Sequence, residues 1–101
     1  TVDTVEATLA VMDNWDRCEG HTFEIGSGEE TTVNKAVSDI LRMTKSSSKI
    51  VHVPMRKGEV DNTKIKADLT QSRILAGWTP RISLEEGLMD TIRWYKNRYE
   101  L

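Results

Sequence analysis

Apolar positions recur at helical spacing in four stretches of the chain and alternate or run together in two short ones. Val5, Leu9 and Met12 are spaced for one helix face. Asp3 followed by Glu6 has the reciprocal side-chain-to-backbone pattern of a capping box, so a helix is predicted over residues 4–15. The polar stretch 16–20 ends in glycine. After it Thr22, Phe23, Glu24 and Ile25 alternate as a short strand does, and Gly26-Ser27-Gly28 closes that strand with a turn. Thr32 can then cap a second helix. Its residues Val33, Ala36, Val37, Ile40, Leu41 and Thr44 form the clearest amphipathic stripe in the sequence, which is expected to bury one face.

Ser46-Ser47-Ser48 breaks that helix, and the β-branched run Ile50, Val51, His52, Val53 before Pro54 predicts a second short strand, because proline cannot continue a ladder. Residues 55–68 are polar, lack helical periodicity and contain Gly58, which predicts a loop or irregular extended segment. Thr70 is placed to cap a two-turn helix holding Ile74 and Leu75, ended by Gly77 and followed by Trp78 and Pro80. Ser83 with Glu86 makes a second capping box. It heads a closing helix whose stripe is Leu84, Leu88, Ile92, Tyr95 and Tyr99.

Alternating strands and helices predict an α/β fold of two short strands and about four helices. Two isolated strands are marginal in water and need neighbours outside the chain or a helical cover. That requirement alone points to a piece of something larger. The 101 residues fit one small domain that buries about 60–65% of its unfolded surface, so a missing portion would matter. The first residue is Thr1 and not Met, as expected of a trimmed or cleaved product.

Composition narrows the function classes. With 38% hydrophobic and 30% charged residues and a formal net charge of -2, the chain has the balance of a soluble domain, and no apolar run is long enough to span a bilayer. Lys and Arg are scattered among the acids, so the one-sign stripe of a nucleic-acid binder is missing. The single Cys18 excludes an internal disulfide framework and, without a Cys or His cluster beside it, argues against structural zinc. A reducing cytoplasm is the expected compartment.

Four features could carry chemistry. Gly26-Ser27-Gly28 after a strand and before a helix has the layout of a dinucleotide cradle. However, Thr31 stands where the third glycine belongs, and Glu29 and Glu30 bring negative charge to where phosphates would sit, so a structural turn is expected. Cys18, His21 and His52 lack the spacing of a nucleophile and base, and read as surface or edge residues. Trp15, Trp78 and Trp94, with Tyr95 and Tyr99, sit where aromatics usually fill core or interface space, stacking on a base being the alternative. Arg56-Lys57-Gly58-Glu59 directly follows a predicted strand. Arg56 could offer forked donors to a diphosphate and Glu59 could accept ribose hydroxyls. By residue type alone, a solvated charge run explains these four residues equally well.

Arg56-x-Gly58-Glu59, Ala67-Asp68, Ala76-Gly77-Trp78-x-Pro80, Leu84-Glu85-Glu86-Gly87-Leu88 and Thr91-Ile92-x-Trp94-Tyr95 follow one another in an order and spacing that resembles the tail of extended short-chain dehydrogenase/reductase enzymes acting on nucleotide sugars. Upstream, Asp3-Thr4-Val5-Glu6-Ala7 is similar to that family's aspartate-led helix start, and residues 23–29 to its strand and turn before the sugar-domain helix. The likeness covers nearly the whole chain. Ala76 stands where the family usually has Leu, and Glu24 where Asn is common.

The resemblance implies the C-terminal, substrate-binding part of an NAD-dependent nucleotide-sugar epimerase or dehydratase. Residues 1–28 would be the end of the Rossmann-like NAD-binding domain, with 4–25 completing the edge of its sheet, and residues 29–101 the sugar-nucleotide-binding part. It implies that Arg56 contacts the substrate diphosphate and Glu59 the nucleoside ribose, with Trp78 and Trp94 in packing. The family's chemistry uses a Tyr-x-x-x-Lys pair, in which the lysine lowers the pKa of a proton-removing tyrosine while hydride passes to the nicotinamide. Four residues after Tyr95 stands Tyr99, so no residue here is expected to be catalytic, and NAD is expected on a missing N-terminal domain. The expected activity of the longer protein is 4-epimerisation. A 4,6-dehydratase fragment and a free-standing, non-catalytic binding domain are the alternatives. The expected partner is a nucleotide sugar, and the bared face where the missing domain docked should favour a homodimer or aggregation of the isolated piece.

Overall fold

The computed structural model of the chain describes residues 1–60 and 62–100. Five helices form among them: α1 (Val2–Asp13), α2 (Trp15–Cys18), α3 (Val33–Thr44), α4 (Thr70–Leu75) and α5 (Leu84–Tyr99). No strand forms among the described residues, which corrects the expected α/β class to an all-helical one. The physical reason lies in pairing. A β-branched run such as Ile50 to Val53 only prefers extended backbone, and it becomes a strand when a neighbour takes up its N–H and C=O groups. Residues 22–25 and 50–53 fall in different compact units, and neither unit offers a second strand among the described residues. The loop expected over residues 55–68 contains Asp61, which lies outside the described residues.

The first unit comprises Thr1–Glu29 and Lys66–Gly87. Its core is small: Ala7, Cys18, Leu69, Ala76 and Trp78 are buried, with Ala10, Val11, Phe23, Ala67 and Leu75 packed around them. Alanines at positions 7, 10 and 76 leave room for the buried ring of Trp78, which is 6% exposed. The Trp78 Nε1–H is buried without an acceptor among the described residues. Burying about 200 Å² of indole is worth about 5 kcal/mol, against about 1–3 kcal/mol for the lost hydrogen bond, so packing wins.

Polar contacts join the two segments of this unit. Buried Ser72 donates its hydroxyl to the Glu24 carbonyl at 2.8 Å, and Glu24 Oε2 accepts the Asp68 N–H at 2.7 Å. Arg17 donates to the Ile74 carbonyl, and Asn14 Nδ2 reaches the Ala76 carbonyl at 3.3 Å. The capping box expected at Asp3 and Glu6 does not form. The N-cap of α1 is Thr1, without a side-chain bond. Asp3 instead accepts the backbone N–H groups of Arg81 at 3.1 Å and Ile82 at 3.0 Å, and Glu6 holds the Arg81 guanidinium at 2.5 Å. Arg81 is thereby held further into its protonated range, chiefly by its hydrogen bond to Glu6.

The second unit comprises Glu30–Ile65 and Leu88–Leu101. Thr32 caps α3 as expected, its hydroxyl accepting the Lys35 N–H at 3.1 Å. Lys45 ends the helix in the left-handed region at φ 53°. No residue of α3 is fully buried, so the stripe is only half covered and not the buried face its periodicity suggests. Thr32→Ala should cost about 1 kcal/mol, read as faster amide exchange at Lys35 and Ala36, because the cap satisfies one of four orphan donors. Unchanged exchange there would mean that the cap holds nothing.

The closing helix matches its sequence signal. Ser83 and Glu86 form the reciprocal box, with Glu86 Oε2 accepting the Ser83 N–H at 2.9 Å and Ser83 Oγ accepting the Glu86 N–H at 3.2 Å. The Ser83 hydroxyl and backbone draw the Glu86 carboxyl below its ordinary range. Likewise Thr70 draws Asp68 down, and Lys35, ahead of Arg42, draws Asp39 down. A carboxylate depressed in the folded state stabilises it fully above the unfolded value and loses that contribution as pH falls through the folded one. Acidification from about pH 5 to below pH 3 should therefore loosen the heads of α4 and α5 and the middle of α3. Amide protection at Thr70 and Ser83, relative to the intrinsic exchange rate at each pH, that stays constant over that interval would contradict these assignments.

Candidate functional site

Arg56, Lys57, Gly58 and Glu59 form a tight turn in the second unit, closed by the Glu59 N–H donating to the Arg56 carbonyl at 3.1 Å. Gly58 takes φ +93°, and a Cβ built there meets nothing within 4 Å, so the backbone conformation and not space calls for glycine. The turn brings the two expected site residues together. Arg56 Nε donates to Glu59 Oε1 at 2.7 Å, and the Arg56 N–H donates to Glu59 Oε2 at 2.9 Å.

The Arg56 side chain is 90% exposed, whereas Glu59 is 38% exposed. Exposed ion pairs contribute little to stability, typically below about 1 kcal/mol, so this pair is poorly explained as a staple. What it does is orient. With Nε on Glu59, the guanidinium edge is biased towards one orientation, and among the described residues its two Nη groups keep four N–H donors free. A forked cation presented from a fixed turn suits a bidentate phosphate contact. Glu59 is both the orienting partner and a carboxylate beside the open Nη donors.

A second feature escaped the sequence reading. In the first unit a cleft of about 400 Å³ is lined by Gly28, Lys66, Ala67, Asp68, Leu69, Thr70 and Arg73. Asp68 Oδ1 accepts both the N–H of Thr70 at 2.9 Å and its hydroxyl at 2.6 Å. Asp68-x-Thr70 is the sequence signal that could have located this wall, since aspartate readily bonds the backbone two residues on. Lys66 and Arg73 give the cleft a positive side.

Gly26-Ser27-Gly28 lies against the same wall. A Cβ on Gly26 would come within 2.9 Å of Ala67 Cβ, and one on Gly28, where φ is +72°, within 2.9 Å of Leu69 Cδ1. The glycines let two protein segments meet, and the space a pyrophosphate would need is filled by Ala67 and Leu69. Ser27 Oγ accepts the Glu29 N–H at 3.2 Å. The residues of this turn do not fit a dinucleotide.

Cys18 is buried in the first unit's core, and His21 and His52 are exposed. Trp78 fills that core. Trp94 does not: it is exposed on α5, edge-on to Tyr95 at 5.1 Å and to Tyr99 at 6.5 Å. No helix among the described residues is long and apolar enough to cross a membrane.

The chain is similar to enzymes that act on nucleotide sugars. It is 39% identical over 98 residues to a UDP-N-acetyl-alpha-D-glucosaminuronate decarboxylase of Bacillus cytotoxicus, covering 93% of this chain and 30% of that enzyme. It is 32% identical over 84 residues to a dTDP-glucose 4,6-dehydratase of Streptomyces niveus, covering 77% of this chain and 23% of that one. It is 31% identical over 80 residues to a UDP-glucuronate 4-epimerase of Thermodesulfobacterium geofontis, covering 78% of this chain and 24% of that one. The chain thus spans less than a third of the length of these relatives. No family model matches the sequence, and no solved structure matches it significantly.

Proposed function

This chain belongs to the nucleotide-sugar epimerase and dehydratase family of extended short-chain dehydrogenases/reductases, and from that premise we propose that it is the C-terminal, substrate-binding part of such an enzyme, in which Arg56 holds the diphosphate of a nucleotide sugar. The observation that carries this is the oriented Arg56 fork, with Nε on Glu59 and the Nη donors open to solvent. The relatives' names support it in a specific way. They pair different bases and different sugars with three different reactions, and what their substrates share is the nucleoside diphosphate. A segment similar to all three is best suited to binding that shared part.

On this reading Arg56 donates to the diphosphate oxygens and Glu59 both fixes Arg56 and accepts a ribose hydroxyl. Residues 1–28 belong with the NAD-binding part and residues 29–101 with the sugar-nucleotide part. Hydride and proton chemistry resides in the length of the relatives that this chain does not span, where NAD is held, and the chain alone does not turn over substrate. The reaction of the whole protein is read as 4-epimerisation, with 4,6-dehydration its rival, and both kinds occur among the relatives. The test is the Michaelis constant of an Arg56→Ala variant of the complete protein for its nucleotide sugar, where an unchanged value refutes the assignment.

A further inference from the structure

Over the whole sequence acids and bases nearly balance, but the two compact units divide them unequally. The first carries four Lys and Arg residues against ten Asp and Glu, and the second carries ten against six. The excess in the second unit is concentrated along the chain. Between Asp39 and Glu59 no acid occurs, whereas Arg42, Lys45, Lys49, Arg56 and Lys57 all fall there. The turn of residues 56–59 closes this stretch, so an anion approaching the turn meets a positive field.

At the turn itself the charge of Arg56 is already matched. Glu59 Oε1 lies 2.7 Å from Arg56 Nε, so the pair as a whole brings no net charge to a ligand. A diphosphate carries a negative charge on each phosphate, and a carboxylate beside it repels it. Lys57 forms the turn's corner with Gly58, is exposed, and has no hydrogen bond or ion pair among the described residues. Its Cα stands one peptide, about 3.8 Å, from that of Arg56. The long flexible stem of a lysine lets its ammonium reach an anion held on the Arg56 Nη donors. Lys45 has a sufficient explanation elsewhere, since it ends α3, where a cation is favoured. Lys57 has none in the fold: the turn requires Gly58 at φ +93° but no charge at position 57. We infer that Lys57 is a second anchor for the anionic group, supplying the charge that Glu59 cancels on Arg56. Arg56 then gives the diphosphate direction and Lys57 gives it compensation. This inference rests on the reading of the turn as the diphosphate site, but not on Arg56 being the stronger of the two contacts.

Titration of the complete protein with uridine, thymidine and guanosine diphosphates, followed by work with whichever wild type binds most tightly, tests it. Lys57→Gln should weaken that binding by about three- to tenfold at low ionic strength, as loss of one exposed charge a few ångströms away does. Lys57→Arg keeps the charge and should stay within about twofold of wild type. The gap between wild type and Lys57→Gln should close as ionic strength rises from about 0.02 M to about 0.5 M, because exposed charges are screened. Lys45→Gln removes a cation from the same acid-free stretch but from the end of α3, and should bind as wild type does. Unchanged binding by Lys57→Gln overturns the inference. A loss that Lys57→Arg shares, or that salt leaves in place, also overturns it by marking a role in the turn's structure. An equal loss in Lys45→Gln overturns it too, since the effect would then belong to the unit's overall field. Arg56→Ala in the same titration separates the two claims. A loss there with none in Lys57→Gln undoes this inference alone, the reverse undoes the role of Arg56 alone, and a wild type that binds none of the three diphosphates undoes both.

Discussion

Replacing Arg56 by alanine in the complete protein should raise KM for the nucleotide sugar by about 10- to 150-fold, with kcat changed by no more than about threefold. The size follows from about 1.5–3 kcal/mol for hydrogen bonds to a charged group. The split between the constants follows because the diphosphate is bound alike in the ground and transition states, so its loss is uniform binding. Removing Arg56 also strips Glu59 of its ion pair at 2.7 Å and leaves a bare carboxylate at the proposed diphosphate contact. The double variant Arg56→Ala/Glu59→Gln should therefore recover part of the loss. Arg56→Lys should fall between wild type and alanine, since lysine keeps the charge but not the fork. A kcat loss with unchanged KM would give Arg56 a different role.

Gly28→Val should destabilise the first unit by about 2–5 kcal/mol. A left-handed residue with a side chain costs about 1–2 kcal/mol, and a β-branched one is worse placed than most. The added Cβ would also meet Leu69 Cδ1 at 2.9 Å and Cγ at 3.6 Å. Leu69 is a core residue beside Ala7, Cys18, Ala76 and Trp78 as well as a wall of the cleft, so displacing its Cδ1 disturbs that packing, and overpacking of this kind costs about 1–3 kcal/mol. Gly20→Ala is the control: φ there is +77°, but nothing lies within 4 Å, so only the backbone strain remains. Urea unfolding followed by far-UV circular dichroism should rank wild type, Gly20→Ala and Gly28→Val in falling order. Equal midpoints for the two variants would mean that the contact with Leu69 is unimportant.

Helices α3 and α5 were legible because their signals are local, whereas the cap expected from Thr70 does not form and Leu69 heads α4. The Thr32 cap, the Ser83 and Glu86 box and the apolar spacing that follows each lie within a few residues of what they determine. Strands are not local objects. Val51 and Val53 have the right residue type, yet both are more than three-quarters exposed, since no described neighbour pairs with them. The Asp3 and Glu6 pattern shows the converse failure, in which a valid local motif is overridden by Arg81 and Ile82 nearly eighty residues away. At the candidate site, Arg56-x-Gly58-Glu59 named two candidate residues on an expected loop, whereas the tight turn that joins them is seen only in the structure. Sequence could not show that Glu59 would hold Arg56 by its Nε and leave the Nη donors open. The stripes on α1 and α5 were readable as apolar, and their exposure is a property of what surrounds them.

The central claim, that Arg56 holds a nucleotide-sugar diphosphate, is tested most directly by calorimetric titration of the complete protein and its Arg56→Ala variant with uridine diphosphate and, separately, with uridine. The account predicts that wild type binds the diphosphate at least about tenfold more tightly than the variant does, while the two bind the bare nucleoside alike. Equal affinity of both proteins for the diphosphate would contradict it.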